Sequence, residues 1–176
     1  VVSVSVTDAP TRVARAWIAL QQVLDPEVPA LSVLELGIVR EVIDRGAMLE
    51  IVVTPTYSGC PATEVIARQI MDAIDAAGVG PAQLRLQRAP AWSSDWITAA
   101  GRRKLNEYGI APPAPVPAEA TVSVGSIRRR GAPIELACPR CGSSDTSQLS
   151  AFGSTACKAL YRCLACLEPF EYFKPI

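Results

Sequence analysis

Thr54-Pro55-Thr56-Tyr57-Ser58-Gly59-Cys60-Pro61-Ala62-Thr63 (TPTYSGCPAT) joins a strand pattern to a helix pattern. Before it, Met48-Leu49-Glu50-Ile51-Val52-Val53 is a short apolar run rich in β-branched residues, the signature of a buried strand. After it, Ile66, Ile70, Ile74 and Ala77 recur at intervals of three and four, which predicts a helix with one buried face. Pro61 suits the first helical position, where no N–H is needed, and this puts Cys60 at the N-cap. Unpaired backbone N–H groups and the positive end of the helix dipole would then favour a thiolate, the form that ligates metal or attacks an electrophile. Ser58-Gly59 permits a tight turn and the close approach of a partner. The other reading of Cys60 is a small buried cysteine packed under the helix.

Outward from this junction the pattern is that of an α/β (α+β) domain. Thr11 opens a helix whose face is Val13, Trp17, Leu20 and Leu24, and Asp25-Pro26 closes it. Asp25-Pro26-Glu27-Val28-Pro29 is a rigid turn carrying two carboxylates, for which turn chemistry is a sufficient role. Leu36 to Val42 and the strand at Met48 flank Asp44-Arg45-Gly46, which predicts a hairpin. Glycines 78 and 80 stop the second helix, and Leu84 and Leu86 alternate with polar residues as a third strand. Short helical pieces run from Pro90 to Tyr108. In them Trp92 and Trp96 are either core or the rim of a partner surface, and Ser93, Ser94 or Asp95 can cap.

Composition then breaks. Ala111 to Glu119 (APPAPVPAE) holds four prolines and no apolar period, so an extended linker is expected over residues 111–132, after a domain at 1–110 and before a module at 133–176. Arg128-Arg129-Arg130 is a short basic cluster with no wider footprint for a phosphate backbone.

Lys+Arg and Asp+Glu are both 17, so no global field recruits nucleic acid or an anionic membrane. The 176 residues include no histidine, so no Cys–His or Ser–His–Asp unit can be assembled and any metal must be held by cysteine, carboxylate or backbone. The N-terminal VVSVSVTDAP has no signal-like pattern, and no window approaches the roughly 18 apolar residues of a membrane span. A cytoplasmic protein is the expectation.

Cys138-Pro139-Arg140-Cys141 and Cys163-Leu164-Ala165-Cys166 are two C-x-x-C knuckles separated by 21 residues. This spacing lets four thiolates converge tetrahedrally on one ion, with a hairpin between them whose tip lies near Gly153-Ser154: a zinc ribbon. The segment is too short for a self-sufficient core, so metal binding should contribute much of its folding free energy. Iron fits the same spacing. Cys157 stands roughly 20 Å from Cys163 if both lie on one strand, too far to share an ion. It is either packed at the tip or a second functional sulfur, which together with Cys60 would handle a transient metal or cluster.

With these residues in view the chain resembles the PaaD family of accessory proteins of bacterial phenylacetate degradation. Its first domain is similar to the wider family of SufT and the eukaryotic cytosolic iron–sulfur targeting factors. The resemblance rests on Asp25-Pro26-Glu27, Leu36 to Val39, Thr54 to Pro61, Pro90 to Thr98 (PAWSSDWIT), Gly101 to Leu105 (GRRKL), Phe152 to Ala159 (FGSTACKA) and both knuckles. It implies a small mixed sheet with packed helices, and a place beside the oxygenase and reductase subunits of phenylacetyl-CoA epoxidase. It also implies a role in maturing or delivering iron or an iron–sulfur cluster, with Cys60 as the central residue and Asp25 and Glu27 in the family's acidic turn. A homodimer is an expectation, since one thiolate is a poor ligand set. The competing readings are a structural or docking subunit of the epoxidase and a thiol enzyme using Cys60 as nucleophile.

Overall fold

The computed structural model describes residues 11–57, 59, 62–116 and 136–176. Cys60 with Ser58 and Pro61, the N-terminal decapeptide, Arg128 to Arg130 and most of the expected linker lie outside the described residues. The chain is α+β and its contacts divide it after Trp92 into two units.

The first unit is built on the strand that the sequence marks most clearly. Strand β2 (Leu49–Val53) is buried along its whole length. Strand β1 (Val39–Asp44) pairs with it antiparallel, and β3 (Ala82–Leu86) pairs with it parallel, giving a mixed sheet of order β1-β2-β3. Parallel pairing needs a long crossover, and helix α2 (Ala62–Ala76) supplies it, burying Ala62, Ile66, Ile70 and Ile74. The β1–β2 hairpin turns at Gly46, whose φ of +79° suits glycine, while Asp44 Oδ1 accepts the Gly46 N–H at 2.8 Å.

Helix α1 (Arg12–Leu20) is capped by the Thr11 hydroxyl, which accepts the Ala14 N–H at 3.2 Å. It ends four residues before the expected Leu24. The backbone of 23–25 is engaged elsewhere: Val33 N–H donates to Val23 O at 2.9 Å and Asp25 N–H to Leu31 O at 2.9 Å. This pairing buries Val23, Leu31 and Val33 and turns Leu24 outward. Strand β1 likewise starts at Val39 rather than Leu36, because Leu36 and Gly37 form a turn onto Ser32 and Leu34. Arginines close the other end of the unit. Arg12 reaches Val79 O, Pro81 O, Gly46 O and the Asp44 carboxylate, and Arg15 Nη2 donates to Ala77 O at 2.6 Å. Together they satisfy carbonyls left open at the C-terminal end of α2. On the sheet, Glu50 accepts from Arg85 at 2.8 Å and Arg45 at 3.3 Å, and these two guanidinium groups hold its carboxyl below the usual range.

The second unit begins at Ser93. A 3-10 turn (Ser94–Trp96) leads into helix α3 (Ala99–Tyr108), capped by Thr98 and ended by Gly109 at φ +93°. Of the candidate caps, Ser93 serves the 3-10 turn; Asp95 instead accepts from Val116 N at 3.2 Å and faces Arg102 at 3.6 Å. Strand β4 (Ile110–Ala111) then adds in parallel to β7 (Pro169–Phe173), in a sheet of order β4-β7-β6-β5 with β5 (Thr146–Ser150) and β6 (Lys158–Cys163). The β5–β6 hairpin is the one expected between the knuckles. Its core joins Ala111, Leu136, Cys138, Ala159, Tyr161, Cys163, Phe170 and Tyr172, with Tyr161 edge-on to Tyr172 at 5.7 Å.

Sequence pattern places the first boundary at residue 110 and starts the linker at Ala111. The contacts instead divide at Trp92/Ser93, and Ala111 is a fully buried strand residue. Two residues of β pairing are too few to leave a periodic signal, and the prolines that follow mask them.

Replacing Ile70, fully buried on α2, by alanine is expected to lower stability by about 3 kcal/mol through lost burial and the cavity left behind. Equilibrium urea unfolding checks this: a lower midpoint at unchanged slope is the expected result.

Candidate metal centre

The first knuckle leaves Leu136 and turns at once. Cys138 N–H donates to Ser143 O at 2.9 Å and Gly142 N–H to Cys138 O at 2.8 Å, while Arg140 N–H points at Cys138 Sγ at 3.4 Å. The second knuckle ends strand β6. Cys163 N–H donates to Glu168 O at 3.0 Å, and Cys166 N–H points at Cys163 Sγ at 3.4 Å. The two loops share a conformation: Gly142 and Leu167, each following the second cysteine of its pair, take φ of +76° and +66°. Leu167 is the one non-glycine residue with positive φ among the described residues, a position that carries steric strain for any residue with a Cβ. Leu164 N–H donates to Asp145 O at 2.8 Å, fixing the second loop beside the start of β5.

This backbone brings the sulfurs of Cys138, Cys141, Cys163 and Cys166 within 4.8 Å of one another. Cys138 and Cys166 are 3.8 Å apart, and Cys141 and Cys163 3.5 Å. Four sulfurs at about 2.3 Å from a central zinc form a tetrahedron with edges of about 3.8 Å, so the arrangement fits one tetrahedral ion. Cys138 and Cys163 are buried in the ribbon core, and Cys141 and Cys166 face solvent.

The electrostatics agree with the geometry. The N–H of Cys166, with that of Ala165 and the neighbouring thiols, lowers Cys163 to about 6 against the opposing effect of burial. Cys166 is pushed up to about 12: the Glu168 N–H favours its thiolate, but burial and the surrounding sulfurs of Cys163, Cys141 and Cys138 outweigh it. Cys163 thus ionises readily, whereas Cys166 resists ionising beside it. The donor set fits structural zinc, held by all four thiolates in a closed site that leaves no open position for chemistry.

The other candidate residues lie apart from this centre. Cys157 is buried just before β6, with the Thr155 hydroxyl 3.0 Å from its sulfur and its carbonyl accepting Lys174 N–H at 2.9 Å. These contacts favour the packed reading of that thiol. Beside it lies an ion pair between a buried lysine and a half-buried glutamate that sequence pattern alone does not reveal. Lys158 Nζ lies 2.9 Å from Glu171, whose Oε1 also accepts Ser154 N–H at 2.6 Å. Burial opposes the Glu171 charge, but Ser154 N–H and Lys158 keep its carboxyl below the usual range. Gly153 lies close to this carboxylate: a Cβ there would stand 2.6 Å from Glu171 Oε1, so a larger residue would displace it. The glycine of FGSTACKA is the one available signal.

Asp25 is buried and acts within its own turn, Oδ1 accepting Glu27 N–H at 2.8 Å and Val28 N–H at 2.7 Å. Glu27 is half-buried. Trp92 does not belong to an exposed partner surface: it is 3% exposed and its Nε1–H donates to Leu36 O at 3.0 Å. The indole N–H finds its partner in the turn before β1, which is why this aromatic goes inside. Trp96 is half-buried.

One polar atom at the mouth of the TPTYSGCPAT stretch stands out. Thr54, 1% exposed at the end of β2, has a hydroxyl with no hydrogen-bond partner among the described residues. Among the described residues no helix is long and apolar enough to cross a membrane.

Comparison with known proteins bears on both units. Residues 14–82 match the family described as "Iron-sulfur cluster assembly protein", and residues 123–174 match the "PaaD zinc beta ribbon domain". A curated protein of Escherichia coli (strain K12), named as a putative subunit of 1,2-phenylacetyl-CoA epoxidase, is 48% identical over 170 residues, covering 97% of each chain. Among solved structures, a domain of unknown function (DUF59) from Bacillus anthracis is 23% identical with a TM-score of 0.49, covering 53% of this chain and 91% of that one. A Mycobacterium tuberculosis protein described as associated with iron–sulfur complex assembly and repair is 31% identical with a TM-score of 0.35, covering 61% and 96%. The chain therefore combines a domain of the iron–sulfur cluster assembly type with a zinc ribbon. It belongs to the PaaD family.

Two outcomes are expected here. Protons compete with metal for sulfur, so lowering the pH from 8 to 6 should weaken zinc binding. Cys163, already ionised above about 6, adds little to that slope, whereas Cys166, held up at about 12, must surrender a proton on binding. Competition with a chromophoric chelator measures it. Separately, Thr54→Val should leave stability unchanged or raise it by about 1 kcal/mol, because it removes a buried hydroxyl that bonds to no described residue; thermal unfolding measures this.

Proposed function

We propose that the chain is a non-catalytic assembly factor of the phenylacetyl-CoA epoxidase system, which helps mature or deliver iron or an iron–sulfur cluster to the oxygenase or reductase subunits. The observation that carries the reading is one of composition. A domain of the iron–sulfur assembly family is joined to a PaaD ribbon in a chain 48% identical, along nearly its whole length, to a protein named as an epoxidase subunit.

In this reading the metal or cluster is cargo, and Cys60 is the thiolate that accepts or passes it. In sequence Cys60 falls between strand β2 and helix α2, and a thiolate at the N-cap of that 15-residue helix would gain from its N–H groups and dipole. The lack of histidine removes the usual base for a cysteine nucleophile, which argues against a thiol enzyme. The closed four-sulfur site serves as scaffold, and the ribbon docks the client. Asp25 shapes the acidic turn through its backbone contacts, with Glu27 beside it. The burial of Cys157 argues against its sharing cargo with Cys60, and a second copy of the chain is the natural source of a further thiolate. A docking subunit is the second reading, favoured by the word "subunit" in the name of the Escherichia coli relative.

Pull-down with the separate epoxidase subunits, followed by metal analysis of the captured client, tests both readings. Under the delivery reading the client gains iron from the wild type and at least tenfold less from Cys60→Ala. Capture with unchanged client iron in both would leave only docking, and no capture by any subunit would remove both.

A further inference from the structure

Neither family match covers residues 83–122, yet part of this stretch is built into the unit that holds the four sulfurs. Helix α3 cannot stand by itself. It has ten residues and buries only Gly101 and Leu105, and isolated helices of that length are marginal in water. Its support is β4, and β4 consists of two residues whose pairing partner is β7.

The ribbon is similarly short of apolar support. Strand β5 is exposed at four of its five positions, and the core cluster counts Cys138 and Cys163 among its members. The two pieces meet at several joints. Fully buried Ala111 shares that core with the two cysteines. Arg140, whose N–H points at Cys138 Sγ, lays its guanidinium on Gly109, where a Cβ would stand only 2.9 Å from Nη2. Within residues 93–116, Arg102 ties the segment together by donating to Pro113 O at 2.6 Å and Ser94 O at 2.8 Å. Ser94 N–H donates to Ile176 O at 3.0 Å, and Ile176 N–H returns to the Ser94 hydroxyl at 3.3 Å.

We propose that residues 93–116 and the four-cysteine ribbon are one cooperative folding unit ordered by metal binding, so that the exposed face of α3 (Arg103, Lys104 and Tyr108) is presented only by the metal-loaded chain. The chain of dependence runs from sulfurs to knuckle, from knuckle through Arg140 and the shared core to β4, and from β4 to α3. The inference does not depend on Cys60 or on delivery of cargo.

Hydrogen exchange of the zinc-loaded full chain, before and after stripping by a chelator, tests it. Peptides from α3 and β6 should lose protection together, keep pace on re-addition of zinc, and leave α2 unaffected. Retained protection in α3 while β6 loses it, an equal loss in α2, or no change anywhere would each overturn the proposal. Linkage supplies a reciprocal arm: Leu105→Ala should weaken zinc binding by about tenfold, and Ile70→Ala on α2 should not change it. Equal zinc affinity in Leu105→Ala and wild type would also overturn it, and the exchange measurement stands whether or not that variant folds.

Discussion

Four cysteine sulfurs within 4.8 Å of each other impose the constraint on which the second unit depends. Thiolates at that separation repel, and the backbone N–H groups turned toward Cys138 and Cys163 offset only part of the charge. A divalent cation held by all four would resolve the conflict and crosslink the two knuckles. The second knuckle holds Leu167 at positive φ, and Cys138 and Cys163 take places in the core beside aromatic and aliphatic side chains.

The first unit is held by a different force. Strand β2 is buried at every position, with helix α2 crossing over between it and its parallel neighbour. Burial of aliphatic side chains supplies the stability, and the arginines of α1 tie off carbonyls at the helix end. The two units differ in what holds them: the first has a hydrophobic core around β2, whereas the second places a four-cysteine site suited to zinc within its core. Thr54, at the start of the cysteine stretch, adds a buried hydroxyl without a partner among the described residues, a feature that hydrophobic packing alone would not retain.

Where local chemistry and local pattern agree, the structure is legible in advance. The aliphatic run at Leu49 to Val53, the three-and-four spacing of Ile66, Ile70 and Ile74, the turn at Gly46 and the paired C-x-x-C units each specify their conformation within a few residues. Reading fails where a distant segment competes for the same backbone groups. Residues 23–25 satisfy helix periodicity, but Leu31 and Val33 take their hydrogen bonds. Trp92 suits either surface or core, and the free carbonyl of Leu36, 56 residues away, settles it inside.

The sequence by itself determined that four cysteines come in two C-x-x-C pairs suited to one tetrahedral ion, that Cys60 lies between a strand pattern and a helix pattern, and that no histidine occurs among the 176 residues. Those facts follow from residue identity and short spacing. The tertiary structure alone decided that α3 and β4 join the ribbon rather than the first domain, and that Cys157 is buried with its carbonyl bonded to Lys174 N–H. Both outcomes rest on pairings between residues distant in sequence, Ile110 with Glu171 and Cys157 with Lys174. Such pairings are set by which surfaces can be buried together, and no short window of sequence contains that information.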